Sequence, residues 1–216
     1  KFDLNTGEIT LKFSETIDRL SLNGSKITLQ SFSEDPDYTF TLTVVDLIST
    51  SDSTVVMFRV SETDLNTIKT VSNLCTVRTN CYIAYEGGTV VDMAQNPIAA
   101  SDPLDYNNAL FSFVQELVID TTSPSLVSFS LDMDTAVMVL SFDETILVSS
   151  LRPQFFTLQS SKVFENISRT LTFTEESILT DNNGPVVRIR VATTDLRAIK
   201  VLQFCTSRNN TFLALT

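Results

Sequence analysis

Seven residues near the start of the chain, Asp3, Thr6, Leu11, Phe13, Glu15, Thr16 and Ile17, recur unchanged 129 positions later as Asp132, Thr135, Leu140, Phe142, Glu144, Thr145 and Ile146. Farther on, Val60, Thr63, Asp64, Leu65, Ile68 and Lys69 recur 131 positions later as Val191, Thr194, Asp195, Leu196, Ile199 and Lys200. A period of about 130 residues is too long for a solenoid repeat and suits a self-contained domain. The 216 residues therefore read as two tandem modules, 1–120 and 121–216. Residues 205–214 repeat 75–84, after which module one continues through 85–119 while module two stops, so module two is expected to be C-terminally incomplete. Its final strand is then expected from later sequence or from another chain. The junction Thr121-Thr122-Ser123-Pro124-Ser125 is too short for a flexible tether, and Pro124 fixes φ, so the modules are expected end to end.

Local patterning makes each module a β structure. Residues 8–14 alternate strictly, with Ile9, Leu11 and Phe13 on one face and Thr10, Lys12 and Ser14 on the other. Asn5-Thr6-Gly7 ahead of them has turn chemistry, so a short strand enters first. Residues 26–32, 38–45, 54–60, 80–85 and 109–119 read as further strands, with Val90 and Val91 available to pair. Phe111, Phe113, Leu117 and Ile119 share one face of the last strand, broken only by Gln115. In module two, Val127, Phe129, Leu131 and Met133 line the entering strand, and Met138, Leu140 and Phe142 line its partner. Alternation stops after Val60, where Ser61 and Asp64 have the spacing of a capping box and Leu65 and Ile68 would face the core. Fifteen Phe and an abundance of β-branched residues favour strands. The fold class is therefore all-β: two tandem immunoglobulin-like antiparallel β-sandwich domains, each with a short helical turn. The Cys, Trp, Cys spacing of antibody domains is absent, so this reading concerns architecture alone.

Composition narrows the function. Fifteen basic against 26 acidic residues give a net charge of -11, which repels phosphate backbones and anionic lipid. Nucleic acid is thereby set aside as a partner, and no apolar run approaches the roughly 20 residues of a membrane helix. Lys1-Phe2-Asp3 lacks the charged and apolar regions of a signal peptide, so a mature or excised fragment of a longer protein is expected. With no histidine, the commonest general base, His-containing triads and most zinc sites drop out. Each acidic pair lies in a turn that the sister module repeats, and the chain is read as a non-enzyme.

The stretches LDMDTAVMVLSFDETI, FFTLQS, ATTDLRAIK and CYIAYEGGTVVDMAQNPI resemble repeated immunoglobulin-like or cadherin-like modules of very long surface proteins of protists and some invertebrates. The likeness covers both modules. It rests on an Asp-Thr-Thr-x-Pro junction at 120–124, an LDxNTG-like hairpin at 4–7 and a TFSE-like strand end at 12–15. A DLNxIK helical turn at 64–69 and a V-x-D-M-x-x-N loop at 90–96 complete it. Module two departs from it with Ala136 in the place of Gly7, a residue less suited to such a turn. The resemblance implies an extracellular, cell-surface glycoprotein concerned with spacing, adhesion or fibre building, as in a filament or flagellar appendage. Its partners would be neighbouring modules or other chains. The alternative is a module that binds glycan or another ligand through loops at one end of the sandwich, where Phe32 and Tyr106 are the loop aromatics.

Few residues stand out as sites. Cys75 and Cys81 bracket a hairpin-like turn, a spacing that suits a small disulfide in an oxidising compartment; the competing reading is buried reduced thiols. Cys205 takes the place of Cys75 in module two, but Thr211 takes that of Cys81. Asn23, Asn166 and Asn209 each open an N-glycosylation triplet in an expected turn. Asp132, Asp134 and Glu144, with Asp120 across the junction, are weak candidates for calcium, the one cofactor considered; solvated acidic turns are the alternative. Asp92 and Asn96 look like turn-stabilising side chains.

Overall fold

The apolar alternation of Ile9 and Leu11 sets a strand longer than the motif itself, Glu8–Asp18, in a computed structural model of the chain that describes residues 1–33, 35–101, 112–179 and 182–215. The fold is β-rich, built of antiparallel sheets with two α-helices among the described residues. It divides into two compact units, Lys1–Ser123 and Pro124–Thr216.

The first unit runs β1 (Phe2–Asp3), β2 (Glu8–Asp18), β3 (Ile27–Gln30), β4 (Thr39–Thr41), β5 (Val45–Leu47), β6 (Ser53–Val60), α1 (Glu62–Thr70), β7 (Tyr82–Tyr85), β8 (Val91–Asp92), β9 (Ser112–Phe113) and β10 (Leu117–Val118). One sheet has the order β10-β1-β2-β6-β5, with β8 also on β2, and the other has the order β4-β3-β7-β9. All pairings are antiparallel except β1 with β10. Phe2, Ile9 and Phe58 from one sheet meet Ile27 and Leu29 from the other, with Leu42 and Ile68 completing a shared core. Each such side chain, fully buried, contributes about 1.5–3 kcal/mol.

Two expected strands are each divided between the sheets. Residues 38–45 give β4 in one sheet and β5 in the other, because Leu42 turns into the core between them and Thr43 is held by a helix side chain. Likewise β9 pairs with β7 while β10 pairs with β1, so 109–119 is no single strand. The chain bends at Gln115, where the apolar alternation fails, and buried Val114 fills the corner. Residues 109–111, and with them Phe111, lie outside the described residues.

The second unit comprises β11 (Leu126–Asp132), β12 (Val137–Ile146), β13 (Phe156–Gln159), β14 (Thr170–Thr172), β15 (Ile178–Leu179), β16 (Gly184–Arg190), α2 (Thr193–Leu202) and β17 (Phe212–Leu215). Its sheets run β11-β12-β16-β15 and β14-β13-β17. A register irregularity between Leu126 and Ser128 turns Val127 outward, at 67% exposure, so Leu126 packs with Phe129 and Leu131 in place of the expected Val127. The hairpin before β12 keeps its shape without glycine: Ala136 sits at φ 57, as Gly7 sits at φ 72. The reason is the next contact. Val60 donates to the Gly7 carbonyl at 3.0 Å, and Val191 to that of Ala136 at 2.8 Å.

Core volume is redistributed between the units. Phe2, Ile27, Leu42 and Phe58 correspond to Leu131, Phe156, Phe173 and Ile189. Each set holds two Phe, one Leu and one Ile, so the total volume is unchanged while each position differs, the kind of exchange that cores tolerate.

Candidate functional site

The most deeply placed charged group of each unit lies at a helix N-terminus. Ser61 caps α1, accepting from the Asp64 amide at 3.1 Å. The Asp64 carboxylate does not turn back to complete a capping box. The Ser61 amide donates instead to the Val44 carbonyl, and Asp64 reaches across to accept from the Thr43 amide at 2.7 Å and the Thr43 hydroxyl at 2.8 Å. In the second unit Ala192 replaces the capping serine, and Ser177 compensates. Ser177 Oγ accepts from the Ala192 amide at 2.9 Å and donates to Asp195 at 2.8 Å, while the Thr174 amide and hydroxyl each donate to Asp195 at 3.0 Å. Asp64 and Asp195 are 1% and 3% exposed, so these donors replace water as their solvation. The group is a structural tie from the helix to the chain leaving β4 or β14, and the helix dipole favours it. Its signal was legible as a repeated aspartate, but not its long-range partner.

Cys75 and Cys81 form a disulfide, and Cys205 is a free, buried thiol. Burial pushes the Cys205 thiol up to about 11, partly opposed by a hydrogen bond with Thr211. It is therefore protonated at neutral pH and a poor nucleophile.

Asn23, Asn166 and Asn209 are all exposed in turns. Asn23 Oδ1 accepts from the Ser25 amide and hydroxyl, which orders the first triplet around buried Gly24. A Cβ at position 24 would lie 2.5 Å from Val45 Cγ1, so only glycine fits.

The acidic candidates do not converge. Asp120 pairs with Lys69 at 2.8 Å, Asp132 accepts from the amides of Asp134 and Thr135, Asp134 is exposed, and Glu144 is half-buried in β12. Among the described residues, no group of three or more Cys, Asp or Glu is placed to hold a metal. Asp92 accepts from the Asn96 side chain at 2.7 Å and from the amides of Ala94 and Asn96 at 2.8 Å each, closing its loop.

Those bonds lower two carboxyl groups. The Asn96 side chain, then its amide and that of Ala94, hold Asp92 below the ordinary value of 3.8; the amides of Thr135 and Asp134 do the same for Asp132. A depressed folded-state value means a contribution present above the unfolded pKa and lost as pH falls through the folded one. Carboxyl NMR titration is expected to give both midpoints below 3.8. Asn96→Ala is expected to return Asp92 toward that value and leave Asp132 unmoved.

Each unit also carries a concave surface. A shallow groove of about 300 Å³ in the first unit is lined by Lys26, Gln30, Tyr82, Tyr85 and Glu86 among others. A larger one of about 930 Å³ lies in the second unit between β11 and β17. Phe32 is 49% exposed, and Tyr106 lies outside the described residues. No described helix is long and apolar enough to cross a membrane. No family model matches the chain, and no curated protein or solved structure matches it either.

Proposed function

We propose that the chain is a tandem structural and adhesive segment of a long extracellular glycoprotein, which spaces or assembles a cell-surface or flagellar-appendage filament. Each unit is read as an immunoglobulin-like sandwich of two antiparallel sheets. The observation that carries this is the duplicated tie: Asp64 on Thr43 and Asp195 on Thr174 place the most buried charge of each unit in holding a loop to a helix. Building one scaffold twice multiplies length and contact surface without assembling a reactive centre. The disulfide suits an oxidising compartment, and three exposed acceptor asparagines suit glycosylation. Electron micrographs of the native parent protein are expected to show extended stalks or polymers, with glycan on at least one of Asn23, Asn166 and Asn209 by glycopeptide analysis. Compact particles with three unmodified asparagines would overturn the reading.

A second reading, a glycan-binding module, is favoured by the groove over Tyr82 and Tyr85. Tyr82 lines it beside Gln30, Lys26 and Glu86, so an aromatic side chain and hydrogen-bonding groups, the chemistry that sugars use, share one groove. Saturable binding of a glycan that is lost in Tyr82→Ala would move the assignment there.

A further inference from the structure

The outer face of the smaller sheet carries the same pattern in both units. In the first, β4, β3 and β7 set Thr39, Gln30 and Tyr82 side by side, with Thr41, Thr28 and Ala84 in the next outward row. In the second, β14, β13 and β17 set Thr170, Gln159 and Phe212 side by side, then Thr172, Thr157 and Ala214. Five of the six residues are identical, and the sixth is aromatic in both. Thr28 and Thr41 share a hydrogen bond at 2.8 Å, as Thr157 and Thr172 do at 2.8 Å. Thr39, Thr41, Thr170 and Thr172 are exposed and the others half-buried.

Folding alone does not demand this agreement. On the inward face of the same strands Ile27, Phe40 and Ile83 become Phe156, Leu171 and Leu213, and Leu29 alone persists, as Leu158. The outer face of the larger sheet meets the same water and the same need for strand formers. There Glu8, Thr10, Lys12 and Met57 become Val137, Val139, Ser141 and Arg188, and only Val55 and Arg59 are kept, as Val186 and Arg190. A cross-strand threonine pair contributes about 0.2–1 kcal/mol, which accounts for Thr28 with Thr41 but not for Gln30, Thr39 or the aromatic ring. A water-facing patch that keeps its chemistry while the core beneath it is exchanged is held by what it touches.

Its chemistry and size narrow the partner. Threonine hydroxyls and a glutamine amide both donate and accept, as sugar hydroxyls do, whereas carboxylate and phosphate only accept and ammonium only donates. Neither patch contains a charged residue; Lys26 and Glu86, which line the groove beside the first, are Phe155 and Thr216 in the second. The ring at 82 or 212 adds an apolar face for stacking. Three strands at about 4.8 Å and two residues at a step of about 6.8 Å make each patch roughly 200 Å². Stable protein partners need about 800 Å² each, so the patch suits a small ligand or one stretch of a thin polymer.

We propose that each unit binds a neutral saccharide on this face, so that the chain grips a neutral polysaccharide at two places. An anionic glycan is repelled by a chain of net charge -11, and an uncharged patch offers it no counter-charge. This rests on the adhesive reading and names its partner.

The test is NMR titration of the 1–216 chain with neutral β1,4-linked hexasaccharides of glucose, mannose and N-acetylglucosamine, and with a uronate-containing hexasaccharide. At least one neutral sugar is expected to saturate, shifting amides in 28–30, 39–41 and 82–84 and equally in 157–159, 170–172 and 212–214; the uronate sugar is expected to shift none. Gln30→Glu, which adds charge at nearly constant shape, is expected to abolish the response of the first unit only, and Gln159→Glu that of the second only. Thr41→Val and Thr172→Val keep the branched shape and lose a hydroxyl, and each is expected to weaken its own unit about fivefold with an unshifted melt. Absence of binding by every neutral sugar refutes the proposal, as do equal binding of the uronate sugar, unchanged affinity in both Glu variants, and self-association that occupies the same amides. A response confined to the first unit also refutes it, while upholding a single groove over Tyr82. Micrographs of the parent judge the filament separately.

Discussion

Asp195→Ala is expected to destabilise the second unit by about 3 kcal/mol, and Asp64→Ala the first by roughly 2 kcal/mol, from the cost of stranding buried donors of a charge-assisted network. Asp195 accepts three hydrogen bonds, from the Thr174 amide, the Thr174 hydroxyl and Ser177, whereas Asp64 accepts two, both from Thr43. The hydroxyls can rotate toward other acceptors, but the two amides cannot, so the amides carry most of the penalty. Ser177 adds an indirect loss in the second unit, because the same hydroxyl that donates to Asp195 accepts the Ala192 amide at the start of α2. In the first unit Ser61 caps α1 whatever happens to Asp64's partners. The order of the two effects therefore tests the wiring. Urea melts, with hydrogen exchange to assign each transition, measure both. Losses under about 1 kcal/mol, or a larger loss for Asp64→Ala, would show that the ties are ornamental.

The strand pattern was legible where side chains alternate between a core and water, as in 8–14, because burial on one face imposes a period of two. It misled where a strand leaves one sheet for the other. In 38–45 every second residue fits a single strand, yet the chain must bring Leu42 into the core and Thr43 to a carboxylate 21 residues away, and that partner is invisible in a local window. The repeat was legible at polar turn and helix residues, where chemistry demands one residue type. In the core it was legible in part, where Val60 and Ile68 recur as Val191 and Ile199, and silent at four large positions. There Phe2, Ile27, Leu42 and Phe58 exchange identities with Leu131, Phe156, Phe173 and Ile189, since only their summed volume is constrained. Asp64 was read as a local cap for the same reason: spacing showed the helix start, and only the fold could show that its carboxylate points to another element. The spread of acidic residues over the junction suggested calcium by count, but Asp120 is engaged by Lys69 and Asp132 by its own turn.

Exchanging the residues at 81 and 211 between the units is expected to move a covalent staple from one to the other. Cys75 and Cys205 share a left-handed conformation, at φ 53 and φ 57, and each donates its amide to an asparagine carbonyl, of Asn80 at 2.9 Å and Asn210 at 3.3 Å. Asn80 Oδ1 accepts from the Val77 amide at 2.9 Å and Asn210 Oδ1 from the Ser207 amide at 2.9 Å, while their side-chain amides donate to Thr76 and Thr206. The turn thus holds the same shape with a disulfide and without one, which means that its hydrogen bonds, not the sulfur bridge, dictate the backbone. A cross-link added to a turn already so shaped acts on the unfolded chain, and closing a loop of this size contributes roughly 2 kcal/mol. Thr211→Cys is accordingly expected to oxidise onto Cys205, abolish the single free thiol and raise the stability of the second unit. The gain is somewhat below that figure, because the Thr211 hydroxyl gives up its bond to the Ser207 carbonyl. Cys81→Thr should cost the first unit about the full 2 kcal/mol and leave Cys75 as a buried thiol like Cys205. Thiol titration under denaturing conditions and paired melts with and without reductant read both arms. A Thr211→Cys chain that keeps two reactive thiols after air oxidation would mean that the two turns, alike in their hydrogen bonds, differ in where they aim the side chain at 211.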